Sequence, residues 1–326
     1  MGVAAGSYQI EGAWNEDGKG ESVWDRYCHI PGNIQDGSSG DVTCDFYHKY
    51  EEDIQLMKAL GIPTFLTTIS WPRVIPDGTG EVNRKGIDFY RNVLKCLRKN
   101  GIKSYVALYH WDLPQKLQEK GGWMNRDIVG WFENYARTMY AELGDLVDCW
   151  ITMVEPWCVS FAGHWMGACP PGLQDYSAAL RAVHHVNLAH GIAVKAFRES
   201  GLHGEIGIKL NLSMVHPLNP ESEKDVEAAK REHNNMNVLF CEPILKGTYP
   251  AEHFEYLKAQ GVVLPEILPG DMELICQKID FLGVNNYSSI WIYVSLTLKA
   301  HIQCCVLLRI FLLEPVQQNQ KFNRLK

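Results

Sequence analysis

From about residue 45 onward, the chain alternates segments of helical apolar period with short, nearly continuous apolar runs. The clearest helical segment repeats apolar residues three or four positions apart between Ile128 and Leu143. A glycine follows each helical segment, at the position where a left-handed C-cap favours it. The pattern predicts helices over 45–60, 84–100, 128–143 and 177–200, and strands over 63–70, 102–110, 147–155, 204–213 and 279–287.

The continuous apolar character of these runs is typical of strands that are buried on both faces, which parallel sheets usually contain. Repeated βα units of this kind predict either a doubly wound sheet or a barrel, and periodicity alone does not choose between them. If Gly2–Tyr8 is the first strand, then 279–287 is the sixth. The sequence therefore predicts an α/β fold with about six recognisable βα units.

The composition of the chain argues against several classes of ligand and partner. The 326 residues are 46% hydrophobic, which is enough for one large core, and the net charge of -7 argues against nucleic acid. The apolar segments near the end are interrupted by charges, so no membrane span is expected. The ten cysteines include no CxxC pair, which argues against a zinc site and favours reduced thiols. Without a visible signal peptide, we predict a cytoplasmic protein.

In a barrel, functional side chains collect where strands end. The residues at those positions are rich in carboxylates, amides and aromatic rings, which suits a sugar because hydroxyls take directional hydrogen bonds and C–H faces stack on indoles. No Gly-rich phosphate loop is present, and no cofactor or metal is expected. The positions are Gln9, Glu11, Trp71, Arg73, His110, Trp111, Asp112, Glu155, Trp157, Asn211, Asn285 and Tyr287.

Five segments, in order, resemble family 1 glycoside hydrolases of the β-glucosidase type. They begin at SYQIEGAWNEDGKGESVWD and end at DFLGVNNYSS, with ISWPRVIPDGTGEVNRKGIDFY, LYHWDLPQKLQEKGGW and WITMVEPW between them. Together they cover nearly everything up to Ser289. The resemblance implies a TIM (β/α)8-type barrel and hydrolysis of O-glycosyl bonds in a β-glucoside or related small oligosaccharide.

The resemblance also implies roles for individual residues. The family uses a retaining mechanism, in which one carboxylic acid protonates the leaving oxygen and a carboxylate attacks the anomeric carbon from the opposite face. Glu155 then corresponds to the acid/base. The residues implied to bind or orient around the sugar are Gln9, His110, Trp111, Asn285 and Tyr287.

Three positions depart from the family pattern. Val154 stands where the family has the asparagine that binds the sugar 2-hydroxyl, and Leu66 stands where it has an arginine near the nucleophile. The nucleophile motif T-E-N-G is absent. The one carboxylate after Ser288 is Glu314, followed by Pro315, and it is the candidate nucleophile. These departures predict an incomplete barrel over 1–289 and a divergent tail over 290–326.

Several alternatives stay open at this point. The chain is either an active β-glycosidase, or an inactive relative that binds sugars or a partner, or a gene fragment. An unrelated α/β enzyme would require the five segments to match by coincidence. Glucoside, galactoside and 6-phospho-glycoside specificities are not separated, and neither is the oligomeric state. Glu155 alone could be a surface carboxylate, and the three histidines at 184, 185 and 190 are interpreted as packing or surface residues.

Overall fold

The computed structural model describes residues 2–294 and 308–310. By the density of internal contacts the chain divides into two compact units. One comprises Met1–Asn211 and Val238–Asn285, and the other comprises Leu212–Asn237 and Asn286–Lys326. Most of the predicted tail over 290–326 lies outside the described residues, so a boundary at residue 289 stays a prediction.

The first unit is built on a six-stranded parallel sheet, and the second contains a three-stranded sheet. The strands are β1 (Val3–Ala4), β2 (Thr64–Thr68), β3 (Lys103–Tyr109), β4 (Cys149–Val154), β5 (Glu205–Asn211), β6 (Met214–Pro217), β7 (Phe281–Asn285), β8 (Ser289–Ile292) and β9 (Leu308–Ile310). The parallel sheet has the order β1-β2-β3-β4-β5-β7. A doubly wound sheet reverses its strand order at a switch point. This order never reverses, which confirms the barrel-type fold, with six parallel strands in the described part.

Helices follow the strands of the parallel sheet. They are α1 (Ser7–Ile10), α2 (Val23–His29), α3 (Phe46–Ala59), α4 (Trp71–Val74), α5 (Arg84–Lys99), α6 (Gln115–Gln118), α7 (Ile128–Leu143), α8 (Tyr176–Glu199), α9 (Glu223–His233), α10 (Leu239–Lys246), α11 (Ala251–Ala259) and α12 (Asp271–Ile275). A 3-10 turn covers Gly122–Met124, and π-helical turns cover Cys158–Ala162 and Asn234–Val238. None of the helices in the described ranges has the length and apolar character needed to cross a bilayer.

The core lies between the parallel sheet and its helices. All six residues of β4 are buried, and α7 and α8 carry apolar stripes that are almost fully buried. Trp71 stacks on Tyr135 of α7, with ring centroids 4.6 Å apart and an interplanar angle of 9°. His184 and His190 of α8 are completely buried, so of the two interpretations, packing or surface, they are packing residues.

The second unit has its own small apolar cluster. In its sheet β6 pairs in parallel with β8, and β8 pairs antiparallel with β9. Ala228 and Ala229 of α9 pack with Ile290 and Ile292 of β8. The Asp225 carboxylate fixes the end of this sheet, because its Oδ1 accepts the Val294 N–H at 3.0 Å.

Two local predictions were wrong. The expected strand Gly2–Tyr8 is only Val3–Ala4, because the chain turns into α1 from Ser7 onward. Gly144 does not adopt the left-handed C-cap conformation seen at the other predicted glycine caps; its φ is -60°. A Cβ at Gly144 would lie 2.4 Å from both Leu202 Cδ1 and the Tyr140 carbonyl oxygen, so close packing is the reason for this glycine.

Gly191 in the middle of α8 allows α12 to approach it closely. A Cβ there would lie 1.9 Å from the Leu274 carbonyl oxygen, and a backbone atom cannot move aside cheaply. We expect Gly191→Ala to lower the free energy of unfolding by roughly 1–3 kcal/mol, measured by urea denaturation. Gly130→Ala in α7 is the matched control, because nothing lies within 4 Å of its Cβ position. That variant should gain up to about 1 kcal/mol. Equal effects of the two changes would contradict the close contact.

Candidate active site

Glu155 directly follows β4, where the backbone takes an unusual conformation. Its φ is +50°, and Trp111, two residues after the end of β3, has a φ of +77°. Non-glycine residues seldom occupy this left-handed region, and when they do they cluster at functional sites. The Glu155 N–H donates to the Lys209 carbonyl of β5 at 2.8 Å, which fixes the turn. Both residues therefore lie at the carboxyl edge of the sheet, where barrel enzymes place their chemistry.

The Glu155 carboxylate is held at both oxygens. Asn285 of β7 donates its Nδ2–H to Glu155 Oε1 at 2.6 Å, and the Cys158 thiol donates to Oε2 at 3.6 Å. The residue is only 6% exposed. Because Asn285 and Glu155 come from different strands, the hydrogen bond fixes the carboxylate relative to the sheet. Such a carboxyl group is positioned to exchange a proton with a ligand at this edge.

At the same edge of the sheet, aromatic and polar side chains line a cleft of about 170 Å³. Its lining residues are Gly6, Tyr8, Gln9, Trp24, His110 and Trp111. The rings of Tyr8 and Trp24 stack with centroids 5.7 Å apart. The Trp111 indole N–H donates to the Val154 carbonyl at 2.9 Å, which ties the cleft wall to the residue before Glu155. Flat apolar rings next to amide and imidazole groups suit the two kinds of surface that a sugar presents.

His110 contributes a neutral imidazole to this cleft. Burial lowers its pKa to about 4, and the positive charge of Lys209 acts in the same direction. Among the described residues His110 Nδ1 is buried without a hydrogen-bond partner. This nitrogen faces Gly6, because a Cβ there would lie 2.5 Å from it, and a buried polar atom without a partner is costly.

Three predicted site residues, Glu11, Trp71 and Arg73, are buried instead. Trp71 is fully buried in the core, and Arg73 is 1% exposed and pairs with Glu11, the distance from Arg73 Nε to Glu11 Oε2 being 2.9 Å. Tyr90 donates its hydroxyl to the other Glu11 oxygen at 2.6 Å. Burial and the adjacent Glu11 raise the pKa of Tyr90, so this hydroxyl stays protonated. Because Glu11, Arg73 and Tyr90 are all buried and bonded to one another, we assign this network a structural role.

Asp112 is also buried, next to the first helical turn. The Ser7 hydroxyl donates to its Oδ2 at 2.9 Å, while its Oδ1 has no partner among the described residues. Burial raises the pKa of Asp112 from 3.8 to about 7, although hydrogen bonds from Ser7 and Ser70 oppose the shift. The protonated carboxyl group is therefore favoured in the folded state below neutral pH.

This shift predicts a pH-dependent stability. A carboxyl group whose pKa is raised on folding contributes stability at low pH that is lost as pH rises from about 4 to about 7. Asp112→Asn keeps a neutral polar group, so its melting temperature should exceed that of the wild type by more at pH 8 than at pH 5. The difference in melting temperature between the variant and the wild type should widen by about 2–4 °C for each kcal/mol of stability that the wild type loses over this pH range. A gap that is constant across this range would show that Asp112 does not titrate there.

The remaining predicted residues are placed as follows. Gln9 is exposed in α1, and its Oε1 accepts the Gly6 N–H at 3.0 Å. Asn211 is buried at the end of β5, and Trp157 is buried after Glu155. Tyr287 belongs to the second unit and is 69% exposed. Glu314 lies outside the described residues.

Sequence reasoning missed four residues of this edge. They are Tyr8 and Trp24 in the cleft, Cys158 against the carboxylate, and Lys209 beside it. The aromatic pair was visible only as part of a matching segment. The signal for Lys209 was a lysine inside an otherwise apolar run, EIGIKLN.

In the described residues no group of three or more histidine, cysteine or carboxylate side chains could hold a metal ion. The model of the family described as glycosyl hydrolase family 1 matches residues 1–303. The chain belongs to that family. Its family membership and barrel fold, both predicted from the sequence, are thus confirmed.

Several known proteins are similar to this chain in sequence and structure. Beta-glucosidase A of Acetivibrio thermocellus is 50% identical over 290 residues, which are 88% of this chain and 64% of that protein. The AHE enzyme from Alicyclobacillus herbarius superposes with a TM-score of 0.90 at 44% identity, covering 95% of this chain and 69% of that one. Virulence factor SghA from Agrobacterium tumefaciens, solved with its substrate analog salicin, gives 0.87 at 41% identity, covering 92% and 65%. The chain thus spans about two thirds of the length of its relatives.

Proposed function

We propose that this chain is a β-glucosidase-type hydrolase of O-glycosyl bonds in which Glu155 is the general acid/base. The observation that carries the proposal is the Glu155 carboxyl group, held by Asn285 at 2.6 Å at the same edge of the sheet as the aromatic cleft. The β-glucosidase name of a relative that is 50% identical supports the reaction type. The complex of SghA with a substrate analog supports binding of a sugar in the corresponding site.

The chemistry follows from the positions of these groups. A glycoside that stacks on the aromatic rings places hydroxyls against Gln9 and His110, and its glycosidic oxygen near Glu155. The protonated Glu155 gives its proton to the leaving oxygen, and the same carboxylate later takes a proton from water. Attack on the anomeric carbon needs a second carboxylate about 5–5.5 Å from the first in a retaining enzyme. The sequence candidate for it, Glu314, falls outside the described residues.

A second candidate function, sugar binding without hydrolysis, is favoured by one observation. Val154 is buried in an apolar cluster with Ala107 and Ile151, and Leu66 packs against the same cluster. The family pattern has an asparagine and an arginine at these two positions. An apolar lining cannot make the 2-hydroxyl contact that strengthens in the transition state.

One experiment separates the two functions. The purified chain is incubated with nitrophenyl β-glucoside, and the anomer that is released first is identified by proton NMR. Release of the β-anomer supports the retaining hydrolase. Binding by calorimetry without any release supports the second function, and first release of the α-anomer contradicts the mechanism proposed here.

A further inference from the structure

Lys209, in the middle of β5, lies next to the residue of β4 that precedes Glu155. Lys209 pairs with Val154 of β4 on one side and with Gly283 of β7 on the other. Its carbonyl oxygen accepts the Glu155 N–H at 2.8 Å. The backbone of Lys209 is therefore part of the turn that presents the proposed acid/base.

The neighbouring glycine shows where the Lys209 side chain points. A Cβ at Gly283 would lie 3.2 Å from Lys209 Cγ and 3.3 Å from its Cβ, so the lysine stem passes over the side-chain face of this glycine. Alternate residues of a strand share one face. On that face of β7, Phe281 packs against the interior apolar cluster and Asn285 reaches Glu155. The Lys209 stem therefore lies on the interior face of the sheet, the face that also carries Asn285.

Lys209 is half-buried, and within the described ranges no carboxylate forms an ion pair with its Nζ. Its charge nevertheless acts on two site residues, Glu155 and His110. Burial lowers the pKa of Lys209, while the Glu155 carboxylate opposes this. A partly desolvated ammonium group gains most from an anionic oxygen ligand, because charge-assisted hydrogen bonds are about twice as strong as neutral ones.

We propose that Lys209 is a specificity-determining residue that makes the cleft prefer glycosides bearing an anionic group, a carboxylate or a phosphate, over neutral glycosides. The inference rests on the proposed function, since it requires a sugar in the cleft beside Glu155. The Lys209 ammonium group is a compact point charge, so it can pair with a carboxylate or a phosphate without a planar, bidentate geometry.

The test compares three ligands by calorimetry on the full chain: phenyl β-glucoside, phenyl β-glucuronide and phenyl β-glucoside phosphorylated on the sugar. The variant Lys209→Met keeps an unbranched apolar side chain and removes the charge. Lys103→Met is the matched control, because Lys103 is an exposed lysine at the start of β3, on the opposite edge of the sheet. We expect the wild type and Lys103→Met to bind at least one anionic ligand about tenfold or more tightly than the neutral one. This preference should fall with added salt.

Lys209→Met should lose the preference, so that its affinities for the three ligands agree with one another within about twofold. Tighter binding of the glucuronide alone would identify a carboxylate as the ligand group, and tighter binding of the phosphorylated glucoside alone would identify a phosphate. Equal affinity of the wild type for all three ligands would overturn the inference while leaving the proposed function intact. A preference that survives in Lys209→Met would overturn it as well. If the wild type binds none of the three, the proposed function and this inference both fail.

Discussion

Glu155→Gln is expected to slow hydrolysis of phenyl β-glucoside by about 10²–10⁴-fold, the usual contribution of a positioned general acid. Glutamine keeps the size of the side chain and the hydrogen bond from Asn285 to its carbonyl oxygen, but it cannot release a proton. The loss should be smaller for dinitrophenyl β-glucoside during formation of the glycosyl intermediate, because a good leaving group departs without protonation. Rates of leaving-group release across an aryl series measure this dependence.

Glu205→Gln is the matched control for this series. Glu205 begins β5, at the opposite edge of the sheet, and its side chain is exposed. It should leave every rate in the aryl series unchanged. A uniform loss in Glu155→Gln for good and poor leaving groups alike would assign Glu155 a role other than acid catalysis. Full activity of Glu155→Gln would show that Glu155 takes no part in the reaction.

Arg73→Met should cost about 3–5 kcal/mol of unfolding free energy, because it leaves a buried carboxylate without its partner. Glu11 and Arg73 are both nearly inaccessible, and Arg73 also donates to the Gly12 carbonyl at 3.0 Å. Its guanidinium lies 4.3 Å from the centre of the Tyr47 ring, so packing is lost together with the ion pair. Urea denaturation followed by tryptophan fluorescence measures the change.

Two further variants test the cause of that loss. Arg137→Met removes an arginine whose ion pairs with Glu133 and Glu199 are exposed, and it should cost no more than about 1 kcal/mol. Glu11→Gln combined with Arg73→Met should recover part of the loss, because no unpaired charge then remains. A double variant as unstable as the sum of the two single changes would show that packing, and not the buried charge, dominates.

Much of the fold could be predicted because its signals are local. Helices α3, α5, α7 and α8 begin and end within a residue of their predicted bounds, since each combines a regular apolar period with a glycine that follows it. The error at the N-terminus has a different cause. A helical turn as short as α1 shows no period, and it is set by a long-range contact: a Cβ at Gly6 would lie 2.5 Å from His110 Nδ1. The short polar helices after α8 gave no usable signal either.

The candidate site was predictable to the extent that residue types at strand ends and a family resemblance could indicate it. Both drew attention to Glu155 and Asn285, yet their hydrogen bond joins positions 130 residues apart, which no local pattern reports. Trp71 and Arg73 follow β2 as the site residues follow their strands, but their side chains turn into the core. Lys209 was missed because one charged residue in an apolar strand does not reveal its direction.

The strand order of the main sheet has a consequence for the way the chain acquires its structure. From β1 to β5, each parallel strand pairs with the strand that precedes it along the chain. During synthesis, the strand of a newly emerged βα unit can therefore pair with a strand that has already folded. Folding can thus advance in the direction of translation. The last strand added is always an unpaired edge until the next arrives. A ribosomal pause between β4 and β5 would expose the Cys149–Val154 edge, whose residues are all buried in the folded chain, for the length of that pause.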